Sequence, residues 1–138
     1  MHVFLDSSAF AKRYIEESGT AEVISWCDQA TRLGLSIIAI PELISAFCRL
    51  RREGALTASQ YRRIKGDLLA DTADALICDT NPDVIQLAIR ALERHTLRGM
   101  DAIHIGAALA SGAEVFVSAD ARQCAAAEAL GLKVVVLR

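Results

Sequence analysis

Apolar positions along the chain come in two alternating kinds of run. Short blocks of consecutive strand-forming residues occur at Val3-Phe4-Leu5, Leu35-Ser36-Ile37-Ile38-Ala39-Ile40, Val115-Phe116-Val117 and Val134-Val135-Val136. Such runs read as strands covered on both faces. Between them apolar residues return at helical spacing. A first helix follows Ser7 and Ser8, either of which can cap it, and runs to about Glu17. A second, capped by Thr20, carries Val23, Ile24 and Cys27 and is stopped by Gly34. Pro41 suits the first turn of a third, which turns Leu43, Ile44, Phe47 and Leu50 inward and ends near Gly54. Thr57 opens a fourth through Tyr61, Ile64 and Leu68 toward Ala75, and Ala75–Cys78 fits either its frayed end or a short strand. Asn81-Pro82 starts a fifth through Val84, Leu87, Ala88, Ala91 and Leu92. Asp101 opens a sixth to Ser111-Gly112, and the last runs from Ala121 to Leu130 before Gly131. Strands alternating with helices predict right-handed crossovers. The expected fold is an α/β three-layer sandwich around a mainly parallel sheet of four or five strands.

The chain's 138 residues suffice for one domain with a real core, taken as residues 1–138. Hydrophobic residues make up 53%, which predicts a packed globule and excludes a disordered chain. Lys and Arg number 15 against 17 Asp and Glu, so no global positive charge announces a nucleic-acid binder, and only local patches can serve that role. Cys27, Cys48, Cys78 and Cys124 are scattered, without a CxxC pair or a His at zinc-ligand spacing. They read as small buried residues in a reducing compartment. With no long apolar span and no basic-then-apolar leader, the expected location is the cytoplasm.

Three acids share one topological address. Asp6 and Asp120 follow strands, and Glu42 lies in the first turn of a helix that follows another. Open α/β sheets build their sites beyond the carboxyl ends of the strands. Asp101 begins a helix, where free N–H groups favour negative charge. Taken singly, each acid is equally an ordinary helix N-terminal residue. Together, parallel connections put all of them on one edge of the sheet. Two carboxylates about 5 Å apart repel by about 3 kcal/mol at an effective dielectric of about 20. A cation among them removes that repulsion. Hard oxygen ligands without a companion His or Cys point to Mg²⁺ or Mn²⁺ rather than zinc. Such a site suits hydrolysis of a phosphodiester by a metal-activated water. No Gly-rich phosphate loop is present to suggest a nucleoside triphosphatase.

At this point the chain resembles the PIN-domain nucleases, and among them the VapC-type toxins of bacterial toxin–antitoxin pairs. The resemblance rests on Val3-Phe4-Leu5-Asp6-Ser7-Ser8, Pro41-Glu42-Leu43, Leu97-Arg98-Gly99-Met100-Asp101-Ala102-Ile103-His104 and Val117-Ser118-Ala119-Asp120, and spans essentially the whole chain. It implies that Asp6, Glu42, Asp101 and Asp120 form an acidic quartet holding Mg²⁺ or Mn²⁺. Asp6 and Asp101 would be direct ligands, with Glu42 and Asp120 closing the pocket and orienting water. Ser7 and Ser118 match the family's supporting hydroxyl residues. The resemblance further implies an endoribonuclease, a VapB-like antitoxin partner and a homodimer.

The remaining polar residues divide between functional and structural readings. His104, one helical turn after Asp101, is a general base or, more simply, a buried hydrogen-bonded residue; metal-activated water does not require it. Lys12 and Arg13 can meet an RNA phosphate or merely solvate a helix face. Arg49, Arg51, Arg52, Arg62, Arg63 and Lys65 can rim an RNA path, pair with acids of an inhibitor, or only keep the surface soluble. Trp26, Phe47 and Tyr61 read as core or dimer contacts. One rival class is a non-catalytic interaction module that receives a partner through the acidic pocket. Another is a phosphoacceptor switch, which Ser7 after Asp6 and Lys133 at the start of a strand disfavour.

Overall fold

A computed structural model describes residues 1–138. The central strand β1 (His2–Leu5) is followed by a short α1 (Ser7–Ala11), α2 (Thr20–Gln29) and β2 (Arg32–Ser36). Two long helices, α3 (Ala39–Arg52) and α4 (Ala58–Asp74), lead to β3 (Leu76–Cys78). Then come α5 (Pro82–Arg94), α6 (Gly99–Ala110), β4 (Val115–Ser118), α7 (Ala121–Ala129) and β5 (Lys133–Val136). The five strands are all parallel and lie in the order β3-β2-β1-β4-β5. The sheet therefore grows outward from β1 in both directions, and the connections reverse between β1 and β4. Ligand crevices of open α/β sheets form at such a reversal.

Alternation along β1 and β4 separates two cores. Val3, Leu5, Val115 and Val117 face one layer, where Phe10, Val23, Leu43, Phe47, Ile64 and Leu68 pack from α1 to α4. Phe4 and Phe116 face the other and stack with ring centroids 6.2 Å apart, covered by Val84, Ile105, Ala108 and Ala126 from α5, α6 and α7. Both faces are thus buried, which explains why these strands read as unbroken apolar runs.

Four expectations are corrected. The first helix ends at Ala11 instead of about Glu17. Its continuation is held as turns by the buried Thr20, whose hydroxyl donates to the Lys12 carbonyl and accepts the Glu17 N–H. Thr20 is consequently the first helical residue of α2; the cap position belongs to Gly19, at φ 93°. The second strand is Arg32–Ser36, not Leu35–Ile40. Gly34, expected to stop a helix, lies inside it, because the His2 and Phe4 side chains occupy the space that a side chain would need. Ser36 then ends the strand by accepting the Ile38 N–H through its hydroxyl. The undecided Ala75–Cys78 segment supplies β3. No helix is long and apolar enough to cross a membrane.

Candidate active site

Asp6 is the first residue beyond β1 and the cap of α1. Its Oδ1 accepts the Ala9 N–H at 2.9 Å and the Ser8 hydroxyl at 2.8 Å. Its Oδ2 accepts the Ser118 hydroxyl at 2.6 Å from the end of β4. The residue is only 3% exposed. Burial pushes its pKa up, against the opposing pull of Ser118, His104, Ala9 and Ser8. Ser118 also accepts the Asp120 N–H at 3.0 Å, and Asp120 in turn caps α7 through the Arg122 and Gln123 N–H groups. The reversal between β1 and β4 thus carries Asp6 and Asp120 joined through one buried hydroxyl.

Glu42, in the first turn of α3, is fixed from two other elements. Its Oε1 accepts the Ser7 hydroxyl at 2.6 Å and lies 2.6 Å from His104 Nε2. His104 holds the Glu42 carboxyl below its usual range, and Ser7 adds to that effect against partial burial. Ser7 directly follows Asp6, and His104 stands one turn after Asp101 on α6. This small cluster therefore links the segments bearing Asp6, Glu42 and Asp101. Asp101 accepts the Arg98 N–H at 3.4 Å across the first turn of α6. It shares with Asp120 a cleft of about 410 Å³ that is also lined by Arg98 and Arg122. A second hollow of about 380 Å³ contains Ser7, Ser8, Glu42, Arg49 and Ala119.

The expected convergence is looser than a single cage. No three acidic, His or Cys side chains surround one point closely enough to hold an ion between them. Each carboxylate is instead anchored by hydrogen-bond donors, which lessens the repulsion that crowding would create. The donor chemistry still fits a hard cation of the Mg²⁺ type, which keeps several waters and needs only one or two carboxylates. Asp6, Asp101, Glu42 and Asp120 would hold it, partly through water.

Lys12 and Arg13, considered for RNA, each have an acidic partner, and Lys12 also lines the hollow beside Glu42. Lys12 pairs with Glu17 at 3.1 Å and donates to the Ser18 carbonyl. Arg13 donates to Asp71 at 3.0 Å, beside the Tyr14 hydroxyl bound to the same oxygen at 2.6 Å. Among the other basic residues, Arg51 lies over the Tyr61 ring, and Arg49 reaches the hollow beside Glu42. Phe47 belongs to the core, with Trp26 and Tyr61 packed partly buried against it. Four residues escaped the sequence reading as site residues: Ser8, Gln123, Arg98 and Arg122. Gln123 is buried and donates to the Asp101 carbonyl at 3.4 Å.

The PIN-domain family profile matches residues 3–129. Ribonuclease VapC45 of Mycobacterium tuberculosis is 31% identical over 134 residues, covering 96% of this chain and 93% of that protein. The chain belongs to the PIN-domain family, in its VapC branch. Solved structures agree on the PIN fold. VapC20 of M. tuberculosis, described as a sarcin–ricin loop cleaving toxin, superposes with a TM-score of 0.67 at 16% identity, over 94% of this chain and 95% of that one. A toxin–antitoxin complex from Klebsiella pneumoniae gives 0.70 at 12% identity, over 97% and 96%. The matched PIN segment contains all four motif acids.

Proposed function

We propose that this PIN-domain protein is a divalent-metal-dependent endoribonuclease, the toxin of a toxin–antitoxin pair. The supporting observation is that Asp6 and the Asp120 N–H share the Ser118 hydroxyl at the β1–β4 reversal, that Glu42 is bonded to Ser7, the residue next to Asp6, and that Asp101 lines the cleft beside Asp120. Bound Mg²⁺ or Mn²⁺ would supply a water of lowered pKa and neutralise charge on the leaving oxygen. The protein's part is to hold carboxylate oxygens on anchored side chains. Asp6 is fixed by Ser118 and Ser8, Glu42 by Ser7 and His104, and Asp120 by the start of α7. Arg98 and Arg122 line the cleft beside Asp101 and Asp120, where a phosphate of the RNA can lie against them.

The ribonuclease name of the 31% identical relative supports the activity, and the Klebsiella complex supports a VapB-like antitoxin as inhibitor. A homodimer belongs to the same reading; sedimentation equilibrium tests it. The purified protein is expected to cut RNA with Mg²⁺ or Mn²⁺ and to stop on chelation. Asp6→Asn and Asp101→Asn should each abolish cutting while leaving the circular dichroism spectrum unchanged. Full activity in both variants would remove the assignment. One observation favours a rival, a non-catalytic module: both oxygens of Asp6 are already occupied by donors from the protein. That reading predicts neither Mn²⁺ uptake nor turnover in the same assay.

A further inference from the structure

The least expected contact at the site is the one made by His104. Its side chain is 3% exposed, and Nε2 lies 2.6 Å from Glu42 Oε1 and 3.2 Å from Ser7 Oγ. Its other ring nitrogen, Nδ1, is buried with no hydrogen-bond partner. These facts select the tautomer. A proton on Nδ1 would bury an N–H with no acceptor and leave two lone pairs facing each other across 2.6 Å. A proton on Nε2 instead gives a short, charge-assisted bond to the carboxylate. The Ser7 hydroxyl donates to the same oxygen at 2.6 Å, so Oε1 takes two donors. Oε2 accepts no hydrogen bond from the protein.

We propose that His104 is a positioning residue: with Ser7 it occupies one oxygen of Glu42, fixing the carboxylate so that the other is presented to the catalytic metal or its water. This deepens the nuclease reading and rests on it. The placement of His104 one turn after Asp101 makes the device effective, because the same bond fixes α3 against the helix that bears a second acid. Supporting hydrogen bonds of this kind typically alter metal affinity by about 10- to 100-fold.

The test uses Mn²⁺ as probe and three substitutions in the full chain. His104→Gln can return an N–H near the position of Nε2, whereas His104→Leu cannot; His104→Asn is too short to reach Glu42. By electron paramagnetic resonance titration, Leu and Asn are expected to weaken Mn²⁺ binding about tenfold. Gln should restore binding to within about threefold of the unaltered protein, and single-turnover RNA cleavage should follow the same order. Nitrogen-15 spectra of the metal-free protein should show the His104 proton on Nε2. If Leu fails to fold, the contrast between Gln and Asn decides. Equal Mn²⁺ affinity in Gln and Asn, or a proton on Nδ1, would overturn this proposal alone. No Mn²⁺ uptake by the unaltered protein would overturn the metal-dependent reading and this proposal with it.

Discussion

Burial favours the neutral form of Asp6, and three side-chain or backbone donors oppose that push by replacing part of the lost water. The shortest comes from Ser118. Ser118→Ala should therefore lower stability by about 2 kcal/mol, the usual magnitude for a hydrogen bond to a charged group. Urea unfolding checks the stability, and single-turnover cleavage should slow in parallel. The motif of an apolar run ending in Asp-Ser-Ser made Asp6 legible from the chain alone. Its partners were less so. Ser118 entered only through resemblance, and Ser8 and Gln123 did not enter as site residues at all. Their roles arise where β4 lies beside β1, more than a hundred residues apart for Ser8 and Ser118, and no local pattern encodes that adjacency. His104 is buried and hydrogen-bonded, as its place in an Ala-rich helix suggests, but helical spacing gives no sign of its partner on α3.

Among the elements, helix starts with a side-chain acceptor were the most legible. Thr57 and Asn81 cap α4 and α5 as expected, through the Gln60 and Val84 N–H groups. The second strand was displaced because a glycine in the middle of a strand looks like a helix stop until the ring that covers it is known. Glycines also give a paired prediction at this scale. In α6, a Cβ on Gly106 would fall 2.6 Å from the Val84 carbonyl oxygen, backbone that cannot rotate away. In α4, a Cβ on Gly66 would meet nothing within 4 Å. Gly106→Ala should thus destabilise by about 1–3 kcal/mol by forcing α5 and α6 apart. Gly66→Ala should stabilise by about 0.5–1 kcal/mol through helix propensity. Denaturant midpoints of the two variants should move in opposite directions.

For the whole molecule, two linkages follow. An ion that binds only the folded chain raises stability as RT ln(1 + [L]/Kd), so melting temperature should climb with Mg²⁺ and return on chelation. Asp101→Asn should flatten that dependence. The second linkage concerns Cys124, whose thiol is pushed up to about 11 by burial and by the nearby Asp6 carboxylate. Between about pH 9 and 11 the unfolded chain releases this proton while the folded one keeps it, so stability should fall as pH rises through that window. Cys124→Ala should fall less steeply over the same range, by urea titration at each pH. The all-parallel sheet has one more practical result. Since every strand points the same way, the turn at Ser111–Ala113, between α6 and β4, sits on the rim opposite the acids. Gly112 there has a left-handed φ of 73° that favours glycine, so the exposed Glu114 just after the turn is the natural attachment point for a dye or an affinity peptide intended to leave RNA cutting undisturbed.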